Sequence, residues 1–179
     1  MMHDEQLAAC AQAVGFTHWA KLDVNTIVLR QEVRDMCAAN TCGKYDKCWS
    51  CPPGCGSLEE CGEKLRGMTR GILVQTVGDV EDSFDLEGMA EVEAVHRERF
   101  ARMYEMLRAS GGPVLALGAG CCTQCRECTY PQAPCRFPEK MISSMEAFGM
   151  LVLEVCKANG LSYYYGSDKM AYTGCFLLA

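Results

Sequence analysis

Residues 120–140, GCCTQCRECTYPQAPCRFPEK, place five cysteines in one connecting segment. Such a group of thiols could form disulfides, hold zinc, bind an iron–sulfur cluster or supply reactive catalytic sulfur. Cys122, Cys125 and Cys128 are separated from one another by two residues each. Thiolates at that interval can bind three irons of a cubane, and Cys135, after six intervening residues, can bind the fourth. The spacing predicts a [4Fe–4S] cluster over zinc, because tetrahedral zinc usually takes cysteines as separated pairs.

Cys121 complicates this assignment because it lies directly beside Cys122. Neighbouring residues in an extended loop point in opposite directions, so only one of the two should face the cluster. The regular spacing favours Cys122, and Cys121 is interpreted as a small buried hydrophobic residue, with a spare or exchanging ligand as the alternative. Arg126, Arg136 and Lys140 could offset the negative charge of a cluster, although solvated surface charge is the simpler interpretation of each.

A second group of six cysteines lies earlier in the chain: Cys37, Cys42, Cys48, Cys51, Cys55 and Cys61. The Cys51-Pro-Pro step is similar to the Cys-Pro step of bacterial ferredoxins, so a second iron–sulfur cluster is favoured over zinc. The irregular spacing leaves the fourth ligand open between Cys48, Cys55 and Cys61. Cys61 lies on an apolar helical stripe, where a core position explains it equally well. Cys51 and Cys135 could also be exchanged between the two sites.

The composition limits the chemistry open to these thiols. The chain has 179 residues, 14 of them cysteine, and 49% hydrophobic residues, which is typical of a globular protein. The first 16 residues lack a basic segment leading into an apolar core, so no secretion signal is expected, and no membrane span is expected either. We therefore expect a cytoplasmic protein whose thiols stay reduced. The net charge of −6 argues against nucleic acid as the main partner.

The hydrophobic periodicity predicts alternating helices and strands. Helices are expected at about 4–14, 33–36, 57–68, 87–109 and 143–159, and strands at about 16–29, 71–77, 113–119, 161–166 and 171–178. Ser57 with Glu60, and Ser143 with Glu146, have the capping-box spacing that opens a helix. The fold class expected is α/β or α+β, a single layered domain over 1–179 with helices on a four- or five-stranded sheet. Cysteine-rich metal-binding loops at about 37–61 and 121–135 should leave the same end of the sheet, with 71–77 and 113–119 as possible neighbours.

The two loops and their flanking segments resemble the domain of unknown function 2284 family, described as predicted metal-binding proteins. The matching segments are VRDMCAANTCGKYDKCWSCPPGCGSLEEC, GCCTQCRECTYPQAPCRFPEK, SSMEAFGMLV and the AYTGCFLL ending, over about residues 33–178. The resemblance implies seven ligands: Cys37, Cys42, Cys51, Cys122, Cys125, Cys128 and Cys135. It is less decisive on Cys55 and Cys61, which complete the candidate metal set. The family usually has Tyr-Gly-Lys where this chain has Tyr45-Asp46-Lys47.

The remaining chemically versatile residues are expected to be structural. Cys10, Cys156 and Cys175 lie in apolar segments and should belong to the core, and His96 should be a structural histidine. The chain contains no Walker loop, dinucleotide-binding fingerprint or serine-centred elbow, so no catalytic residue is predicted.

Two functional hypotheses follow from the cysteine pattern. The leading one is a cytoplasmic iron–sulfur protein with two [4Fe–4S] clusters that transfers electrons to or from a partner redox enzyme. The alternative is a zinc-binding structural or metal-handling module without redox activity, in which the sulfurs only cross-link the loops. A third hypothesis makes one cluster catalytic through an unligated iron, and the surplus of cysteines argues against it. No nucleic-acid or membrane partner is expected, and the sequence does not indicate the oligomeric state.

Overall fold

A five-stranded mixed sheet forms the centre of the protein. The structure, a computed structural model, describes residues 2–179. The strands are β1 (His18–Leu22), β2 (Arg70–Asp79), β3 (Val114–Gly118), β4 (Ser143–Ser144) and β5 (Lys169–Leu178). They are arranged in the order β1-β2-β5-β3-β4, and the β3–β4 pair is parallel while the other pairs are antiparallel. With its helices the sheet makes an α+β fold, one of the two classes that the sequence predicts.

Five α-helices flank this sheet. They are α1 (Asp4–Val14), α2 (Gln31–Ala38), α3 (Leu58–Leu65), α4 (Leu86–Ala109) and α5 (Val152–Ala158), with short 3₁₀ helices at Val24–Thr26 and Glu146–Phe148. The bounds of α1 match the prediction, and those of α4 agree within one residue at its first turn. Over the described part of the chain, no helix has the length and apolar character needed to cross a membrane.

The side chains of the strands alternate between two cores, one on each face of the sheet. On β2, Ile72 and Val74 belong to the core under α1 and α4, whereas Leu73 belongs to the core under α3 and α5. The first core contains Phe100 of α4, which stacks on Phe176 of β5 at a centroid distance of 4.3 Å. Helices therefore cover both faces, and the sheet is a rigid base from which the cysteine loops extend.

Three expectations about the second half of the chain are wrong. β5 lies between β2 and β3, so the predicted strands at 71–77 and 113–119 are not neighbours. Ser143 does not open a helix, because residues 143 and 144 pair with the end of β3, and α5 begins only at Val152. Residues 161–166 form a loop rather than a strand. In the first half, the segment after β1 forms a 3₁₀ turn and a single bridge, Leu29 to Met150, in place of strand.

The sheet brings the two cysteine-rich segments to one place. Residues 119–142 leave the end of β3 and return beside it as β4, so the second cysteine loop is anchored at both ends to the same sheet edge. The first loop begins at the end of α2, which packs against the 3₁₀ helix Glu146–Phe148 directly after β4. Both loops are consequently held next to the β3–β4 edge.

Candidate metal centre

The first cysteine loop, residues 37–61, is a series of tight turns held by its own backbone. The Cys55 N–H donates to the Cys51 carbonyl at 3.0 Å, and the Asp46 N–H donates to the Pro52 carbonyl at 2.8 Å. Asp46 has a φ of +55°, so aspartate supports the left-handed turn for which the sequence resemblance implied glycine. Aspartate is among the residues that tolerate this conformation, and the turn therefore forms without glycine.

The second cysteine loop, residues 121–135, folds back on itself between Glu127 and Arg136. The Thr129 hydroxyl donates to the Pro134 carbonyl at 2.8 Å, and the Arg136 guanidinium donates to the Glu127 carbonyl at 2.8 Å. Cys128 and Cys135 lie between these two links on opposite arms of the hairpin. The contacts hold the arms together and bring the last two predicted ligands of this loop towards each other.

The two loops pack directly against each other. The Cys122 N–H donates to the buried Ser50 hydroxyl at 3.0 Å, and the Trp49 indole N–H donates to the Ala133 carbonyl at 3.0 Å. The ring of Tyr130 meets that of Trp49 edge to face at 4.9 Å, and its hydroxyl donates to the Asp46 carboxylate at 2.7 Å. These contacts join residues about seventy or more positions apart, so the cysteines of both loops form one assembly.

Replacing Gly54 with alanine is expected to disturb this packing and lower the free energy of unfolding by about 1 to 2 kcal/mol. A Cβ atom at Gly54 would stand 2.5 Å from the Cys48 carbonyl and 2.9 Å from the Tyr130 ring. The measurement is denaturant unfolding under anaerobic conditions. Gly62→Ala is the matched control, because it lies in α3 and its nearest new contact would be an ordinary 3.8 Å. Equal stability of the two variants would contradict this account of the interface.

Four cysteines from the two loops line one cavity of about 260 Å³: Cys37, Cys42, Cys51 and Cys121. The Cys37 sulfur lies 3.9 Å from the carbonyl of Glu146, next to β4. Cys42 is exposed, whereas the other three are half-buried, so the cavity reaches solvent on the side of Cys42. Lys44 also lines the cavity and places a cation beside the thiols.

Cys55 and Cys61 form a separate buried pair around Arg34. The Arg34 Nη1 atom lies 3.7 Å from both sulfurs, and the guanidinium also donates to the carbonyls of Ala147 at 2.8 Å and Gly56 at 2.6 Å. A hydrogen bond from Cys55 lowers the pKa of the Cys61 thiol to about 7, assisted by the Arg34 charge. The pKa of the Cys55 thiol is raised, because Cys55 keeps the proton of its hydrogen bond to Cys61. Cys61 is fully buried among apolar side chains, as its helical stripe indicates.

Cys48 is buried beside the Ser50 hydroxyl, at 3.4 Å from its oxygen. A hydrogen bond from Cys51 lowers the pKa of Cys48 to about 5, and retention of that proton raises the pKa of Cys51. Burial raises the pKa of Cys37 and of Cys121, since it disfavours the thiolate at each position. A bound metal would have to displace these protons.

The structure distributes the predicted ligands unequally. It places Cys37, Cys42 and Cys51 around one cavity, and it places Cys55 and Cys61 on Arg34. In the second loop, Cys122 lines a small cavity with His96 and Lys140, Cys135 lines another with Cys55, and Cys125 and Cys128 are half-buried. All 14 cysteines are free thiols. Within residues 2–179, no three histidine, cysteine, aspartate or glutamate side chains are close enough to hold a single metal ion.

The residues around the 260 Å³ cavity nevertheless fit a polynuclear group. A water molecule needs only about 15 Å³ of such space, so the cavity is far larger than a single ion requires. The four thiols distributed around it equal in number the protein ligands that a [4Fe–4S] cluster takes, one for each iron.

Two functional candidates at the site are missing from the sequence-based prediction. The sequence contains a signal for Arg34, because it lies three positions before Cys37 on α2 and therefore shares its face of the helix. Ser50 offers no such signal, since its partner, the amide of Cys122, belongs to the other loop.

The residues expected to be structural lie in the cores. Cys156 and Cys175 are fully buried, and Cys10 packs against the core under α1 and α4, so these predictions are confirmed. His96 is also buried, with its Nδ1 atom 3.1 Å from the Thr76 hydroxyl oxygen. Burial, together with the nearby Arg99 and Arg97, lowers the pKa of His96 to about 4, so its imidazole is neutral at physiological pH.

The fold and the site together define a cysteine-rich α+β protein whose free thiols are concentrated in two packed loops. The family described as "Predicted metal-binding protein (DUF2284)" matches residues 20–178, and the chain belongs to this family. The matched range includes both cysteine loops, and the resemblance of their motifs is confirmed. Neither the curated proteins nor the solved structures contain a match to the chain.

Proposed function

We propose that the protein carries two [4Fe–4S] clusters and passes electrons to or from a partner redox protein. The observation that carries the proposal is the shared cavity of about 260 Å³, around which thiols of both loops are grouped. Membership in a predicted metal-binding family supports a metal site in this protein. A bound [4Fe–4S] cluster supplies reversible one-electron transfer.

The ligands divide between the two loops. Cys37, Cys42 and Cys51 would hold the first cluster from one side of the cavity. The second would be held by the three regularly spaced cysteines Cys122, Cys125 and Cys128, together with Cys135. Four protein thiolates would hold each cluster in a fixed position, and the bound cluster would supply the redox chemistry.

Other side chains would set the charge and accessibility of the first site. The ammonium of Lys44 lines the cavity and would offset part of the negative charge of a thiolate-bound cluster, which favours the reduced state. Cys42 and Lys44 are exposed, so this side of the site is open to a partner protein. Proximity to the surface suits electron transfer between proteins, in which no substrate has to enter.

Replacement of Cys125 with alanine tests the proposal. Protein purified without oxygen should be brown, bleach with dithionite and contain acid-labile sulfide equal to its iron. The variant should retain about half of the iron and sulfide, because only the second cluster uses this thiol. Alanine is preferable to serine, whose oxygen can replace a thiolate as ligand.

Cys175→Ala is the matched control, since Cys175 is a fully buried core thiol on β5. It should keep the full iron and sulfide content. A colourless wild-type protein with stoichiometric zinc and no sulfide would refute the proposed function and favour a structural zinc module.

A further inference from the structure

Cys121 occupies the position that a fourth ligand of the first cluster requires. It lines the 260 Å³ cavity together with Cys37, Cys42 and Cys51, although it comes from the other loop. A [4Fe–4S] cluster takes four thiolates, one for each iron. The spacing within the first loop suggests Cys48, Cys55 or Cys61 for the fourth, and the structure supplies a different candidate.

The backbone fixes Cys121 at this position. The peptide group between Cys121 and Cys122 is bound on both edges: its carbonyl accepts from Arg97 Nη1 at 3.4 Å, and its N–H donates to Ser50 at 3.0 Å. Ser50 is itself buried in the first loop. Cys121 lines the 260 Å³ cavity, and Cys121 and Cys122 together line the small cavity beside His96, so the fixed peptide group holds this pair of thiols where the two cavities meet.

The other candidates have different surroundings. Cys55 and Cys61 are engaged with each other and with Arg34, which also binds two backbone carbonyls. Cys48 is buried beside Ser50. Assigning Cys121 to the first site leaves the other four cysteines of the second loop for the second cluster, so eight thiols would bind two clusters and none would be shared.

From this arrangement we infer that Cys121 is the fourth ligand of the first cluster, and that the adjacent pair Cys121 and Cys122 joins the two clusters through one peptide group. This inference rests on the proposed function. Because consecutive Cα atoms are only about 3.8 Å apart, the two clusters must be close neighbours. The exposed Cys42 would hold the first cluster near the surface, and the pair Cys121 and Cys122 would hold the second cluster beside it.

The test compares Cys121→Ala with Cys48→Ala and Cys61→Ala in anaerobically purified protein. Cys121→Ala should lose up to half of the iron and sulfide, or show the electron paramagnetic resonance signal of an oxidised three-iron cluster, while the two controls retain wild-type content. Fully reduced wild-type protein should show spin–spin broadening between two clusters, and Cys121→Ala should lose it. Cys121→Ser provides a variant of nearly native volume if alanine prevents folding.

The outcomes separate the inference from the function on which it rests. Full iron content and unchanged broadening in Cys121→Ala, or an equal loss in Cys48→Ala, would overturn the assignment of Cys121 while leaving an iron–sulfur protein. Wild-type protein without acid-labile sulfide would refute the proposed function itself.

Discussion

Replacing Arg34 with leucine is expected to lower the free energy of unfolding by about 3 kcal/mol. The guanidinium donates to the carbonyls of Gly56 and Ala147, and it lies 3.7 Å from the sulfurs of Cys55 and Cys61. Hydrogen bonds from a charged donor contribute about 1.5 to 3 kcal/mol each. Leucine would leave both carbonyl acceptors without this donor, and the carbonyl of Ala147 belongs to a buried residue.

The position of Arg34 explains why the effect should be large. Gly56 belongs to the first cysteine loop, and Ala147 belongs to the 3₁₀ helix that follows β4. One side chain of α2 therefore ties the loop to the edge of the sheet. The two carbonyls and two sulfurs would all lose their partner together, since a single guanidinium serves them.

Denaturant unfolding under anaerobic conditions tests this prediction. Iron is determined on the same samples, so that the effect of lost contacts is distinguished from the effect of lost metal. Arg34→Lys should fall between wild type and Arg34→Leu, because lysine keeps the charge but not the planar fork of donors. Arg66→Leu is the control: its side chain is 77% exposed and forms a surface ion pair with Glu63, so the loss should stay below about 1 kcal/mol. Similar losses at positions 34 and 66 would show that the buried contacts of Arg34 contribute little.

Sequence reasoning succeeds where the determinants of structure are local. Ser57 and Glu60 form the predicted capping box, in which the serine hydroxyl accepts from the Glu60 N–H at 3.1 Å and the carboxylate accepts from the Ser57 N–H at 2.6 Å. The same spacing at Ser143 and Glu146 fails because the backbone of Ser143 pairs with Leu117 of β3. A partner 26 positions away outweighs the local signal, and nothing within the segment reveals it.

The strand order could not be predicted for the same reason. β2 and β3 both read as buried strands, and either could have paired with the other. The apolar C-terminal strand β5 lies between them and forms ladders with both. The position of β5 depends on how the side chains of whole strands pack across the sheet. The apolar pattern of one strand does not indicate which strand it pairs with or in which register.

For the candidate site too, the sequence predicts features within one loop but not contacts between the two loops. The intervals between cysteines within one loop indicate which of them could share a cluster, and they group Cys122 with Cys125 and Cys128. They cannot indicate that Ser50 binds the amide of Cys122, or that Trp49 reaches the carbonyl of Ala133. Contacts between loops decide which thiols face a common cavity, and these contacts join residues more than seventy positions apart.

His96 should make the folded state lose about 2 kcal/mol of stability when the pH falls from 7 to 5. Its pKa is lowered to about 4 in the folded protein, first by burial and then by the charges of Arg99 and Arg97. In the unfolded chain the imidazole has an ordinary pKa near 6.5. Between these values the unfolded state binds the extra proton, so acidification favours unfolding. The stability that the protein gains from keeping His96 neutral is fully present above pH 6.5 and is lost as the pH falls towards 4.

The surroundings of His96 leave little means of accommodating a charge. Its ring packs against Phe16 and Phe100, its side chain is 1% exposed, and in the described structure its Nε2 atom is buried without a hydrogen-bond partner. The group that faces Nδ1 is the Thr76 hydroxyl, which also accepts from Arg99. Cationic neighbours and apolar rings both oppose protonation, and the described contacts of the ring include no carboxylate to offset them.

Unfolding of wild type and His96→Leu at pH values from 7 to 5 isolates this effect, because most carboxylates titrate at lower pH and both proteins share those that do not. The difference between the two stabilities should change by about 2 kcal/mol over the range, with wild type losing more on acidification. His18→Leu is a matched control, since His18 is only half-buried on β1 and stacks on Tyr165. Nuclear magnetic resonance should show that the His96 ring does not titrate above pH 5. A titration midpoint of the His96 ring near pH 6.5 would contradict the prediction, because it would mean that burial does not keep the imidazole neutral in the folded protein.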